Sequence, residues 1–257
     1  NAAKAGTRAL YGPKFLEIGY VETLLAAKAH PHWSAPLGPN QGRGIASGFW
    51  FNIGGPSSAA IHINEDGTAE VVTGNPDIGG SRASMAIMAA EVLGIDFAKV
   101  KPMIGDTGQI AYSFLTGGSR VTFATGKAVV EAAEATVAEL KKRAAKLWKI
   151  DAEHVEWRDG QAWCTLADGT DRAPLSLAKI EHSAGKPGGP ISGAVSINAA
   201  GAGPGHPFGV RGVGEVPIVP PLAAVANAVS RAAGVRVDAL PVSPPRLLKK
   251  LIDAGKA

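Results

Sequence analysis

The sequence predicts an α+β fold, a mixed or antiparallel sheet with helices packed on it, from three observations. Strand-like runs come in pairs joined by tight turns, long amphipathic helices separate those pairs, and the regular βαβ alternation of a doubly wound sheet is missing. The chain has 257 residues, 46% of them hydrophobic and 19% charged, enough for a sizeable core. Length alone allows one large domain or two small ones; the pattern is read as a single domain over residues 1–257.

The elements follow in order. A short helix is predicted around Gly19 to His30, followed by a loop rich in proline and glycine. In "SSAAIHINEDGTAEVVTG", Glu65-Asp66-Gly67 separates two β-rich runs and predicts a hairpin, with His62 on its solvent side. "DIGGSRASMAIMAAEVLG" predicts a helix capped by Ser81, carrying a stripe of Met85, Met88, Ala89 and Val92, and closed by Gly94. A strand in "KVKPMIGDT" and a loop then lead into a long helix from about Ser119 to Lys149. Within it Glu139 and Arg143 form an i,i+4 pair, and Gly126 marks a close backbone approach. A second hairpin turns at Asp159-Gly160, and a short helix follows in "PLSLAKIEHSAG". From Gly185 to Glu215 the chain shows no periodicity over most of its length and is rich in glycine and proline, which reads as a long functional loop or a junction. The tail predicts a helix begun by proline and ended at Gly234, a strand in "VRVDAL", and a final helix in "SPPRLLKKLIDAG".

Charge and composition remove several function classes. The net charge of +4 comes with basic residues grouped at Lys141 to Lys149 and Arg246 to Lys250, without interleaved exposed aromatics. The first group reads as cations near a helix C-terminus, so nucleic acid is not an expected partner. No apolar run reaches the roughly 20 residues of a membrane helix, and no basic-then-apolar leader is present. A single cysteine, Cys164, excludes an internal disulfide and is expected to be a buried structural thiol.

Three features could carry chemistry. Gly79-Gly80-Ser81-Arg82 and Gly117-Gly118-Ser119-Arg120 repeat one string immediately before two helices. Each combines backbone N–H groups, a hydroxyl and a guanidinium at a helix start, a combination suited to an anionic cofactor. Neither fits a P-loop or a dinucleotide fingerprint. The third feature is Glu215 in "GVRGVGEVPIVPP", where Gly212 and Gly214 leave the backbone bare beside a carboxylate. That arrangement suits a base in contact with a ligand, and equally a capping or surface glutamate. Asp77 and Asp106 are weaker candidates, because no second catalytic group accompanies either.

The stretches "TGNPDIGGSRASMAIMAAEVLGID", "GDT", "TGGSRVTFATGKAVVEAA" and "GVRGVGEVPIVPPLAAVANAVSRAAG" resemble the molybdenum-binding subunit of the xanthine dehydrogenase/aldehyde oxidase family. The resemblance runs from about Gly42 to the C-terminus, and the last stretch is the most specific. It implies a molybdopterin cofactor with molybdenum, of the cytosine dinucleotide form common in bacteria, held at the two corners. It also implies Glu215 as the base in hydroxylation or dehydrogenation of an aldehyde or N-heterocycle. Partners implied are an iron–sulfur subunit or domain and a flavin or haem acceptor, in the cytoplasm or, for the parent protein, the periplasm. Ile78-Gly79-Gly80 stands where the family usually has a glutamine-containing turn. A long family segment is missing near 203–208, so that Gly205 abuts His206, which reads as a junction of two family segments. The upstream half of the family's cofactor cradle is also missing. The expectation is therefore a fragment, catalytically silent by itself, with a non-catalytic scaffold or anion-binding module as the alternative.

Overall fold

The structure, a computed structural model, describes residues 2–10, 12–51, 53–108, 110–185, 188–199 and 207–257. In chain order it contains α1 (Tyr20–Ala29), α2 (Pro31–Ser34), β1 (Gly55–Ile63), β2 (Ala69–Thr73), α3 (Ser81–Leu93), β3 (Val100–Ile104) and α4 (Gly126–Trp148). Then come β4 (Val155–Arg158), β5 (Gln161–Cys164), β6 (Leu175–Ser176), α5 (Leu177–His182), β7 (Ser192–Ala199), α6 (Pro221–Ala233) and α7 (Pro244–Asp253). Where the sequence is read as one domain, contacts divide the chain into two compact units. The larger is Trp50–Glu215; the smaller joins Asn1–Phe49 to Val216–Ala257.

The larger unit rests on a four-stranded sheet in the order β3-β2-β1-β7. β1 pairs antiparallel with both β2 and β7, whereas β2 and β3 run parallel, so the sheet is mixed, as the expected α+β class allows. The hairpin register sets Ile61 opposite Val71 and Ile63 opposite Ala69, all four buried. Because side chains alternate across a strand, His62 points to the other face and is exposed, as expected. α3 and α4 cover the buried face with Met85, Met88 and Leu93 from one helix and Val129, Ala132 and Leu140 from the other. Small residues on α4 let it lie close to the sheet: a Cβ on Gly193 of β7 would collide with Thr136 and with the carbonyl of Ala132. β4, β5 and β6 form a separate three-stranded antiparallel sheet, turning at Asp159-Gly160 as predicted. Cys164, at the end of β5, is half-buried, with Arg172 Nη1 4.0 Å from its sulfur.

Several local expectations need correction. α3 is not capped by Ser81. Its N-cap is Gly80 in a left-handed conformation (φ 85°), and the capping carboxylate comes from Asp77. Asp77 Oδ1 accepts from the N–H of Gly79 (3.1 Å), the N–H of Ser81 (2.9 Å) and the Ser81 hydroxyl (3.0 Å), while Oδ2 accepts from Arg82 Nε (2.9 Å). The long helix begins as a π-helical turn, Val121–Thr125, and becomes α-helical only at Gly126. There the Met88 sulfur lies 2.6 Å from where a Cβ would stand, the close approach foreseen for this glycine. Glu139 and Arg143 pair at 2.6 Å as expected. A strand was missed: β7 alternates Gly193, Val195 and Ile197 with outward Ser192, Ala194 and Ser196, a two-residue period hidden among flanking glycines and prolines. Conversely, "VRVDAL" forms no strand, because the Val237 N–H is taken by Ser230 Oγ (2.9 Å) and no sheet edge pairs with the segment.

In the smaller unit, α6 starts at Pro221 and closes at Gly234 (φ 67°), as the sequence predicts. The segment Gly42-Arg43-Gly44 lies directly on this helix: a Cβ on Gly42 would strike the Ala228 carbonyl, and one on Gly44 the Ala224 carbonyl. Only glycine permits that distance. The stretch Val216–Ala233 is long and apolar enough to cross a membrane by length and composition. Its continuous α-helix, however, covers 13 residues, about 20 Å, short of the roughly 30 Å hydrocarbon core.

Two outcomes follow from these contacts. Gly193→Ala is expected to destabilise the larger unit by about 1–3 kcal/mol, through forced displacement of α4 from the sheet, and chemical denaturation of the single variant measures it. The Asp77 carboxyl is held well below the usual carboxylate range, first by the bond from Arg82 and then by the Gly79 N–H. Its contribution is therefore full above about pH 4 and is lost as pH falls through the lowered value. Amide exchange at Gly79 and Ser81 should accelerate over that acid window, and Asp77→Asn should show the faster exchange already at neutral pH.

Candidate functional site

The second glycine corner takes its shape from backbone conformation. Gly118 (φ 65°) and Ser119 (φ 56°) are both left-handed, an unusual state for serine. Ile53 fills the space where a Gly118 Cβ would be, and the Ile53 N–H donates to the Gly118 carbonyl (3.1 Å). Behind the turn, Arg120 is completely buried. Its Nε donates to the Gly54 carbonyl (2.9 Å), Nη1 to Phe114 (3.1 Å), and Nη2 to the carbonyls of Gly55 and Pro56 and to Ser57 Oγ. Below it, Asn75 and Thr125 form a buried pair at 2.7 Å, and Asn75 Nδ2 reaches Thr116 Oγ1 at 3.4 Å.

Ser119 is turned by this strained corner toward Glu215. The Glu215 N–H donates to Ser119 Oγ (3.0 Å), and Ser119 Oγ donates in turn to Glu215 Oε2 (3.2 Å). Trp50 Nε1 donates to the same Oε2 (3.0 Å), and its ring stacks on Phe51 with centroids 5.4 Å apart. The carboxylate is thus fixed by two donors on one oxygen, while Oε1 takes neither bond. Such anchoring fits a group that must present one oxygen in a fixed direction.

A cleft of about 600 Å³ brings both corners together with Glu215. Gly79, Gly80 and Ser81 line one part, Gly117 and Ser119 another, and Gly214 with Glu215 a third. Around Gly79 and Gly80 a Cβ would meet nothing within 4 Å, so these glycines offer open backbone to whatever enters. Other predicted positions behave differently. Gly118 and Gly212 are buried and do not line the cleft. Arg82 is bonded to Asp77 through Nε and its exposed side chain does not line the cleft, whereas Arg120 is among the lining residues but has no exposed surface. At the first corner the Gly79 and Ser81 N–H groups are likewise committed to Asp77. Trp50 and Asn75 escaped the sequence reading, since a tryptophan 165 positions from its carboxylate leaves no local signal. The residues around 203–206, including His206 at the proposed junction, lie outside the described residues. Among the described residues no group of three or more His, Cys, Asp or Glu is placed to hold a metal ion.

Comparison with known proteins places the fold and the family of this chain. A family model described as the molybdopterin cofactor-binding domain matches residues 26–235. The aldehyde oxidoreductase molybdenum-binding subunit PaoC of Escherichia coli (strain K12) is 31% identical over 138 residues, 53% of this chain and 18% of that protein. An aldehyde oxidoreductase of Megalodesulfovibrio gigas is 48% identical over 48 residues, 19% of this chain and 5% of that one. Among solved structures, reconstituted CO dehydrogenase from Oligotropha carboxidovorans superposes with a TM-score of 0.68 at 17% identity, covering 91% of this chain and 43% of that one. Quinoline 2-oxidoreductase from Pseudomonas putida 86 gives 0.55 at 19% identity, over 75% and 28%. These likenesses show a shared fold, and the chain spans less than half the length of each of these relatives. With four-fifths of its length inside the matched family model and the expected α+β architecture present, this chain belongs to the family of molybdopterin cofactor-binding domains.

Proposed function

We propose that this chain supplies one wall of a molybdopterin cofactor site in a molybdenum hydroxylase, with Glu215 as its proton-accepting base. The observation that carries the reading is the fixed Glu215 carboxylate beside a roughly 600 Å³ cleft, where a Cβ on Gly79 or Gly80 would meet nothing within 4 Å. The residues present suit such a group. Gly79 and Gly80 provide a side-chain-free surface for a flat ring system, Ile78 adds an apolar edge, and Gly214 lets a bulky ligand come close to Glu215. The cytosine dinucleotide form is part of this proposal.

When bound, the cofactor supplies two-electron redox chemistry and a Lewis-acidic metal. Everything else falls to the protein. Trp50 and Ser119 hold Oε2, which leaves Oε1 to accept a proton from a reacting hydroxyl. Ser119 also fixes the backbone of Glu215 through its N–H, so the carboxylate and its loop are positioned as one piece. Gly117 and Gly214 line the same cleft as Glu215 and add no side chain of their own to it. The substrate class is an aldehyde or N-heterocycle, in keeping with relatives named as aldehyde oxidoreductases and a quinoline oxidoreductase. Electrons would leave through iron–sulfur and flavin or haem partners, which accords with the relative named as a molybdenum-binding subunit.

In the assembled enzyme containing this chain, Glu215→Gln should lower kcat about 10²–10⁴-fold while molybdenum and pterin content stay unchanged. Loss of cofactor with the activity, or retention of activity, overturns the base assignment. Ser119→Ala and Trp50→Phe should each lower kcat by about tenfold, the equivalent of one charge-assisted hydrogen bond, with KM nearly constant. The chain by itself, mixed with an aldehyde and a dye acceptor, should give no turnover.

A further inference from the structure

Charge is divided unevenly between the two units. The smaller carries eleven Lys and Arg against four Asp and Glu, the larger fifteen against eighteen, so a +7 unit joined to a −3 unit makes up the chain's +4. Within the smaller unit, a cleft of about 460 Å³ opens between the Arg43 segment and the C-terminal end of α6. Trp33, Arg43, Asn227, Ser230, Arg231 and Arg236 line it, and no carboxylate does.

Three guanidiniums around one space repel one another unless a counter-charge is supplied. Among the described residues no carboxylate lines this space: Asp238, close enough for Arg236 to lower its pKa, is itself engaged by Lys250 at 2.7 Å. A fourth cation, Lys256, donates to the Gly234 carbonyl at the same helix end (2.7 Å). The site is also partly built. Arg43 is fixed through bonds from Nη1 and Nη2 to the carbonyls of Trp33 and Ala35, yet its Nε is buried without a partner. Arg236 Nη1 donates to Asn227 Oδ1 (3.2 Å), which orients that guanidinium and leaves its remaining N–H groups uncommitted. Arg231 is exposed and has no hydrogen-bond or ion-pair partner among the described residues.

We propose that this cleft binds a small phosphate-bearing anion. Arginine matches phosphate because its planar fork presents parallel donors, which the exposed Arg231 and Arg236 offer at the cleft. The helix C-terminus opposes an anion, but less than one charge-assisted hydrogen bond favours it, and Lys256 already covers the Gly234 carbonyl. Trp33 forms an aromatic wall, so the ligand's non-phosphate part can be planar. None of these residues lines the Glu215 cleft.

Calorimetric titration of the full chain with pyrophosphate at low salt tests the proposal, with tryptophan emission as a second readout. One saturable site is expected, weakened by added chloride. Arg231→Gln with Arg236→Gln should reduce affinity about a hundredfold, tenfold for each guanidinium, while the fold is unchanged because both side chains are exposed. Trp33→Phe should abolish the emission change and keep the heat of binding. Absence of saturable heat at millimolar pyrophosphate, or equal affinity in the double variant, overturns the proposal. So does binding of a polyglutamate peptide without binding of pyrophosphate, which would mark the patch as a protein-docking surface.

Discussion

The arrangement around the candidate cofactor cleft depends on one buried cation. Arg120 carries its charge into a place with no exposed surface, where burial pushes its ionisation downward. An unpaired charge there would cost several kcal/mol. The chain instead spends the guanidinium on backbone carbonyls from two segments, Gly54 to Pro56 and Phe114, so that one side chain ties the start of β1 to the loop before the π-helical turn. That tie fixes the left-handed Gly118-Ser119 corner, and the corner fixes Glu215.

This ordering also explains the irregular start of the long helix. A π-helical turn accommodates an extra residue in a helix. Here it follows Arg120 directly and ends at Gly126, whose bare backbone rests against Met88. Thr125, in the same turn, reaches Asn75 beyond the end of β2. The helix start is therefore joined to sheet and loops by buried polar contacts, and regular helical spacing is given up where those contacts are made.

Much of the fold was legible because hydrophobic period and turn chemistry agree over most of the chain. The β1–β2 hairpin, α3, α4, the β4–β5 hairpin, α6 and α7 each combine a clear period with a proline or glycine boundary. β7 was not legible, since its alternation uses Gly193 and small polar residues, and its hydrophobic signal is only Val195 and Ile197. For the site, Glu215 and the glycine corners could be read because bare backbone beside a polar group is visible in a string. The fate of the arginines could not. Whether a guanidinium faces a ligand or the protein's own carbonyls depends on tertiary contacts: here Arg120 turns inward to carbonyls, while Arg82 stays exposed with its Nε on Asp77. Trp50 was silent for the same reason, as its importance exists only once Glu215 stands next to it.

The carboxylate of Asp77 at the head of α3 has a consequence for selectivity. It is a tethered occupant of the position a phosphate would seek, and a tethered group competes at a high effective concentration. An anionic guest would have to evict this resident and break its link to Arg82, whereas an uncharged ring could settle on the neighbouring glycines without disturbing either. This corner is thereby biased toward shape and against charge.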